Sequence, residues 1–205
     1  MELPLILLAA LVATGSPGPA ILAIAGTSMT SGRRAGLAVA SGVTTGSWAW
    51  SIAAAFGLGA VMLANVWLFE AIRYAGALYL LYLALKSARA ALKPGDFEVP
   101  GRPASSLRRA YGKGLALHLT NPKAILFFGA LFAIGVPPGS PPEKLLTIIL
   151  AVGCQSALVF HGYALLFSNA RLVRAYGRFR RWFEGIFAVA FGAAGLKILT
   201  ARAEL

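Results

Sequence analysis

Few residues in this chain can do chemistry, and they stand out because their surroundings are so apolar. Lys123 is a charge inside a long hydrophobic run, His118 precedes it by five residues, and His161 lies within another such run. Glu70 and Glu184 sit near the starts of two more. A buried lysine offers an anion a compact ammonium, and a histidine exchanges protons near neutrality. His118, His161, Glu70 and Glu184 are therefore the candidates for carrying protons. For each histidine the competing reading is a neutral ring bonded to a backbone carbonyl. For the acids it is a local ion pair, Glu70 with Arg73 and Glu184 with Arg180 or Arg181.

Lys123 belongs to the stretch TNPKAIL, residues 120–126, which resembles SPGPAIL at 16–22. Proline lacks the N–H that would bond one turn back, so Pro17, Pro19 and Pro122 each interrupt a helix and free a carbonyl one turn earlier. The half-helix that begins after each interruption presents free N–H groups and a positive dipole end to an anion such as a carboxylate. Gly18 lets backbone approach closely, and Ser16 and Asn121 add hydrogen bonds. Ser16, Pro17, Gly18, Pro19, Asn121, Pro122 and Lys123 are thus the candidate binding residues, with the freed carbonyls available to a ligand ammonium. A single proline kink reads as a kink and no more; two in matching places read as a site.

The elements that must hold these residues are membrane helices. With 58% hydrophobic and only 13% charged residues among 205, the chain cannot fold in water without large apolar patches. Apolar runs of spanning length fall at about 3–29, 36–63, 69–91, 112–136, 144–168 and 183–201. The first could also be read as a cleaved signal peptide, but Glu2 precedes it and Arg33 and Arg34 follow it, the reverse of a signal peptide's charge order.

A formal charge of +12 raises nucleic acid as a partner, and its placement argues against that. Fourteen of the nineteen basic residues lie in or beside the first, third and fifth connections. This is the positive-inside pattern, which puts those connections in the cytoplasm and both termini outside. The basic residues are topological anchors that also attract anionic lipid head groups.

The polar stretch 93–111 reads as a linker joining two copies of one unit, about 1–92 and 112–205, within a single membrane domain 1–205. Besides the paired breaks, FEAI at 69–72 matches FEGI at 183–186, and SARA at 87–90 resembles TARA at 200–203. Three spans per copy make the second copy enter the bilayer from the opposite side. The expected fold is an all-α membrane protein of six transmembrane helices in two inverted-topology repeats, with spans 1 and 4 broken near the midplane. Transporters of that design bind substrate where the broken helices meet.

SPGPAIL, followed by Gly32, Gly36, Gly42 and Gly46 and then NPKAILFF, resembles the lysine exporter and homoserine/threonine exporter family (LysE/RhtB) over essentially the whole chain. The resemblance implies a bacterial inner-membrane exporter of amino acids driven by the proton motive force, with NPK similar to the neutral-amino-acid branch. The proline-glutamine pair often found at the end of span four is replaced here by LFAIGVPPG, which leaves the exact substrate open. The four glycines are read as close-packing positions between helices.

No cofactor and no metal site is expected. Cys154 is the only cysteine, and the spans lack a pair of carboxylates for a divalent cation. The expected partners are a small amino acid, protons and membrane lipids, without nucleic acid; a second copy of the chain stays open. A divalent-cation exporter of related architecture, and a membrane enzyme or assembly subunit, are the alternatives.

Overall fold

The computed structural model describes residues 3–64, 66–92, 106–136 and 140–200, and every described element is helical. Seven helices follow in order: α1 (Leu3–Gly15), α2 (Pro19–Ala64), α3 (Val66–Leu92), α4 (Leu107–Leu119), α5 (Pro122–Gly135), α6 (Pro142–Phe167) and α7 (Ala170–Thr200). Most of the linker, both termini, and the side chain of Arg73 with which Glu70 was expected to pair lie outside the described residues.

Local chemistry sets the helix boundaries. Ser106 starts α4 by accepting the Arg109 N–H at 3.3 Å, and Asn121 starts α5 by accepting the Lys123 N–H at 3.0 Å. Pro122 and Pro142 each occupy a first helical position, where a missing N–H costs nothing. Inside the apolar helices, Thr14, Thr30 and Ser41 turn their hydroxyls back onto carbonyls four residues earlier, which lets a polar side chain sit where no water is available.

Both expected breaks are present. Between α1 and α2 the axis bends by 52°, and between α4 and α5 by 56°. If each bent pair is one span, they join α6 and α7 as four segments long and apolar enough to cross a membrane among the described residues. Leu8, Leu78 and Leu158 are more than half exposed, as side chains facing lipid are. The chain is a membrane protein of the all-helical class.

The glycine series is not one packing ladder. Gly32 lies in α2 at φ 78°, ψ 177°, a region that side chains with a Cβ avoid, and nothing lies within 4 Å of where its Cβ would be. It is a turn rather than a packing surface, which corrects the expectation for this position. The Gly36 position meets the Ser28 side chain. Eight residues along a straight helix span about 12 Å, so the arms 19–31 and 33–64 fold back on each other at Gly32. Gly42 and Gly46 do pack between helices, against the α4 backbone at Tyr111 and against His118 respectively.

Two hydrophobic clusters make the core. One gathers Ile6, Leu80, Phe128, Val152 and Phe191; the other gathers Ile21, Ile24, Val43, Phe160 and Phe167. The two breaks lie where these clusters meet.

Candidate functional site

A pocket opens at that junction. Ser16 and Gly18 of the first break, Ala20 and Ile21 of α2, Asn121 of the second break and Lys123 of α5 line it, together with Ser47, His118 and Phe160. Its lining includes no acid among the described residues. Of the seven expected binding residues, Ser16, Gly18, Asn121 and Lys123 line the pocket. Pro17, Pro19 and Pro122 shape it by ending or starting helices.

The two breaks are chemically unlike. At the second, α4 closes its own end: Thr120 donates its N–H and its hydroxyl to Ala116 O, and the Asn121 N–H reaches His118 O at 3.2 Å. The α5 N-terminus is capped by Asn121. At the first break, Ser16 likewise closes the end of α1, its N–H on Val12 O at 3.0 Å and its hydroxyl on Ala13 O at 3.2 Å, but two further donors come from the far half of the chain. Tyr163 of α6 donates its hydroxyl to Gly15 O at 2.6 Å, and Lys123 donates its ammonium to Ser16 O at 2.9 Å and to Ser16 Oγ. A lysine at a helix C-terminus is where the helix dipole favours a cation.

Across the same break, α2 starts at Pro19 directly after Gly18, a residue with no side chain to cap it, and its first bond runs from the Leu22 N–H to Gly18 O. The N–H groups of Ala20 and Ile21 have no partner within the helix, and both residues face the pocket. The uncapped anion-attracting end is therefore that of α2, not α5. Lys123 crosses directly over Gly18, its Nζ 3.4 Å from the point a Cβ would occupy there, and comes within 5.9 Å of the Phe191 ring.

The proton candidates separate by position. His118 is 5% exposed, lines the pocket, and neither ring nitrogen has a hydrogen-bond partner. Its ring meets Phe160 edge-on at 5.8 Å. The alternative of a carbonyl-bonded neutral ring thus fails for His118 and fits His161, whose Nδ1 is 2.8 Å from Ala157 O while Nε2 is 3.1 Å from Ser41 Oγ. Glu70 is only half-buried, on α3. Glu184 is 4% exposed on α7, bonded to Ser87, with Arg180, Lys123 and Lys86 as the cations in electrostatic reach. A buried carboxylate therefore stands behind the pocket, although it is not part of the lining.

Tyr163 was not picked out from the sequence. A tyrosine hydroxyl in an apolar helix needs an acceptor, and the carbonyls freed at a break need donors; that pairing of needs is the signal that would have found it.

Comparison with known proteins accords with this arrangement. Residues 11–202 match the family described as LysE type translocator. The threonine efflux proteins of Salmonella typhi and Escherichia coli K12 are each 28% identical over 94% of both chains. An uncharacterized membrane protein of Pseudomonas aeruginosa is 31% identical over 90% of this chain and 88% of its own. No solved structure matches. A chain with paired helix breaks, a pocket between them and a family match over nearly its whole length belongs to the LysE type translocators, which are transporters and not enzymes.

Proposed function

We propose that this protein is a secondary active exporter of small neutral amino acids of the threonine and homoserine type, carrying them out across the bacterial inner membrane at the expense of the proton motive force. The observation that carries this reading is the pocket at the first break, where an uncapped helix N-terminus and an ammonium lie side by side. The α2 N–H groups of Ala20 and Ile21, with Lys123, suit a carboxylate; the carbonyl end of α1 suits an ammonium. The threonine efflux relatives point to the same class of ligand.

The transport cycle in this reading is alternating access between two inverted repeats, residues 1–92 and 112–205. The packing supports it: α2 lies on α6 and α3 on α7, while α1 against α6 matches α4 against α2. Those are the pairings that exchanging the two halves would leave unchanged. His118, buried in the pocket with both nitrogens free, is the group that carries the proton in this scheme.

The direct test is efflux of radiolabelled threonine from preloaded proteoliposomes, with and without an imposed proton gradient. Gradient-dependent efflux is expected; none under either condition overturns the reading. Cationic amino acids should compete poorly in the same assay. A second ammonium would share the pocket with Lys123 and find no acid in the lining. Inhibition by lysine as strong as that by threonine or leucine would refute this picture of the site.

Orientation has its own test. Cysteines placed at Arg33, Ser105 and Arg174 should be shielded from a membrane-impermeant reagent outside intact cells, and one at Pro138 should react, after the exposed native Cys154 is changed to serine. Ser105 and Pro138 lie outside the described residues; the expectation rests on the alternation of basic residues. Labelling at Ser105 but not at Pro138 would reverse the orientation.

A further inference from the structure

We propose that Lys123 is a resident stand-in for the ammonium of the amino acid, seated on the one backbone carbonyl that an incoming substrate must take over, and that it thereby makes the pocket selective for molecules carrying both charges. This rests on the exporter reading and gives it a mechanism of selection.

The α1 break frees two carbonyls into the middle of the protein. Tyr163 holds that of Gly15 through an uncharged hydroxyl, and Lys123 holds that of Ser16 through a cation. A carbonyl at a helix C-terminus is a good seat for an ammonium, and the charge-assisted bond is the stronger of the two kinds. Without substrate, the lysine satisfies this seat. When an amino acid enters, its ammonium replaces the lysine's on the same oxygen, one cation for another. Lys123 already lies across Gly18 beside the α2 N-terminus, so on release it is placed to face the carboxylate held there.

Each half of the substrate then has a separate requirement. An amine without a carboxylate would evict Lys123 and leave two ammonium groups in a lining that holds no acid. A hydroxy acid would bring a carboxylate but no cation to replace the lysine on Ser16 O. Only a zwitterion completes the exchange.

Three probes separate these requirements on the purified full-length protein in lipid nanodiscs: threonine, threoninol, which lacks the carboxylate, and 2,3-dihydroxybutyrate, which lacks the amine. Calorimetry on wild type should show binding of threonine and little of the other two. In Lys123→Met the Ser16 carbonyl is vacant, so threoninol should bind about tenfold more tightly than to wild type, the scale of one charge-assisted hydrogen bond, while threonine binds more weakly. Tyr163→Phe deletes a single oxygen and frees the Gly15 carbonyl but leaves the lysine on Ser16 O, so threoninol would still bring a second ammonium into the lining and should bind no better than to wild type. Lys123→Gln serves as the second route if the methionine variant does not fold. Threonine binding by wild type with no gain of threoninol binding in a folded Lys123 variant, or an equal gain in Tyr163→Phe, sinks the stand-in role alone. Failure of wild type to bind threonine at all removes the exporter reading as well.

Discussion

Replacing Lys123 by methionine or glutamine yields a protein that reaches the membrane in normal amount and loses export. Three effects decide the balance. Removing a lysine from the middle of a span relieves an insertion cost of about 2.5–3.5 kcal/mol. Against that, Ser16 O loses its donor, and a buried acceptor left unpaired costs about 1–3 kcal/mol. On those two figures stability should lie between about 0.5 kcal/mol below and about 2.5 kcal/mol above wild type, so it holds or rises. Transport has no such compensation. The carboxylate loses its charged partner, worth about ten- to a hundredfold in apparent affinity.

Lys123→Arg should restore export only in part. The Lys123 chain lies 3.4 Å from the position of a Gly18 Cβ, and the wide planar guanidinium does not fit where a compact ammonium does. Expression, thermal unfolding and threonine efflux measured on the same three variants decide the matter. Full efflux by a well-folded Lys123→Met protein would remove the lysine from the site. The rival role, a lysine snorkelling to the membrane surface, sits badly with an ammonium directed onto Ser16 of the opposite half of the chain.

What the sequence disclosed, and what it hid, divides along the range of the interactions. The breaks at 16–19 and 120–122 are legible because proline removes a backbone donor whatever surrounds it. Asn121 was read as offering a hydrogen bond to the ligand, whereas its side-chain oxygen accepts the Lys123 N–H and caps α5. The difference between the two helix ends is not legible: Thr120 closes α4 and Ser16 closes α1 locally, but the last two carbonyls of the first break, Gly15 O and Ser16 O, are held by Tyr163 and Lys123, more than a hundred residues away. Repeat similarity suggested two equivalent half-sites. Tertiary contacts leave one uncapped N-terminus and one carbonyl end held from across the pocket. His118 and His161 look alike in the sequence, and only the packing separates a ring with no partner from a ring with two. Glu184 was read as pairing with Arg180 or Arg181, and Arg180 is indeed in electrostatic reach; its burial, which the sequence does not show, comes from the packing of α7 on α3. Gly32 was misread because residue type alone does not separate a glycine needed for its φ from one needed for its missing side chain.

Gly42→Ala should prevent stable folding, and Gly114→Ala should do the same. A Cβ at Gly42 would lie 2.0 Å from Tyr111 O and 2.7 Å from Leu115 N, and one at Gly114 would lie 2.2 Å from Val39 O. These are backbone atoms on rigid helices, so no side chain can rotate away; α2 and α4 must separate. In lipid, close van der Waals contact is what holds two helices together, and overpacking even against movable groups costs about 1–3 kcal/mol. Contact with backbone on both helices should reach or exceed the top of that range. Gly112 is the internal control. It lies on the same helix as Gly114, with nothing within 4 Å of its Cβ position, so alanine there should be neutral or stabilise by up to about 1 kcal/mol through helix propensity. Gly32→Ala should fall between, since forcing a side chain into that backbone conformation costs about 1–3 kcal/mol without moving a helix. Thermal unfolding in detergent on the four variants gives the order directly. An unfolding temperature for Gly42→Ala equal to that of Gly112→Ala would mean that α2 and α4 do not meet as described. His118 would then lose its place beside Gly46, and the pocket one of its walls.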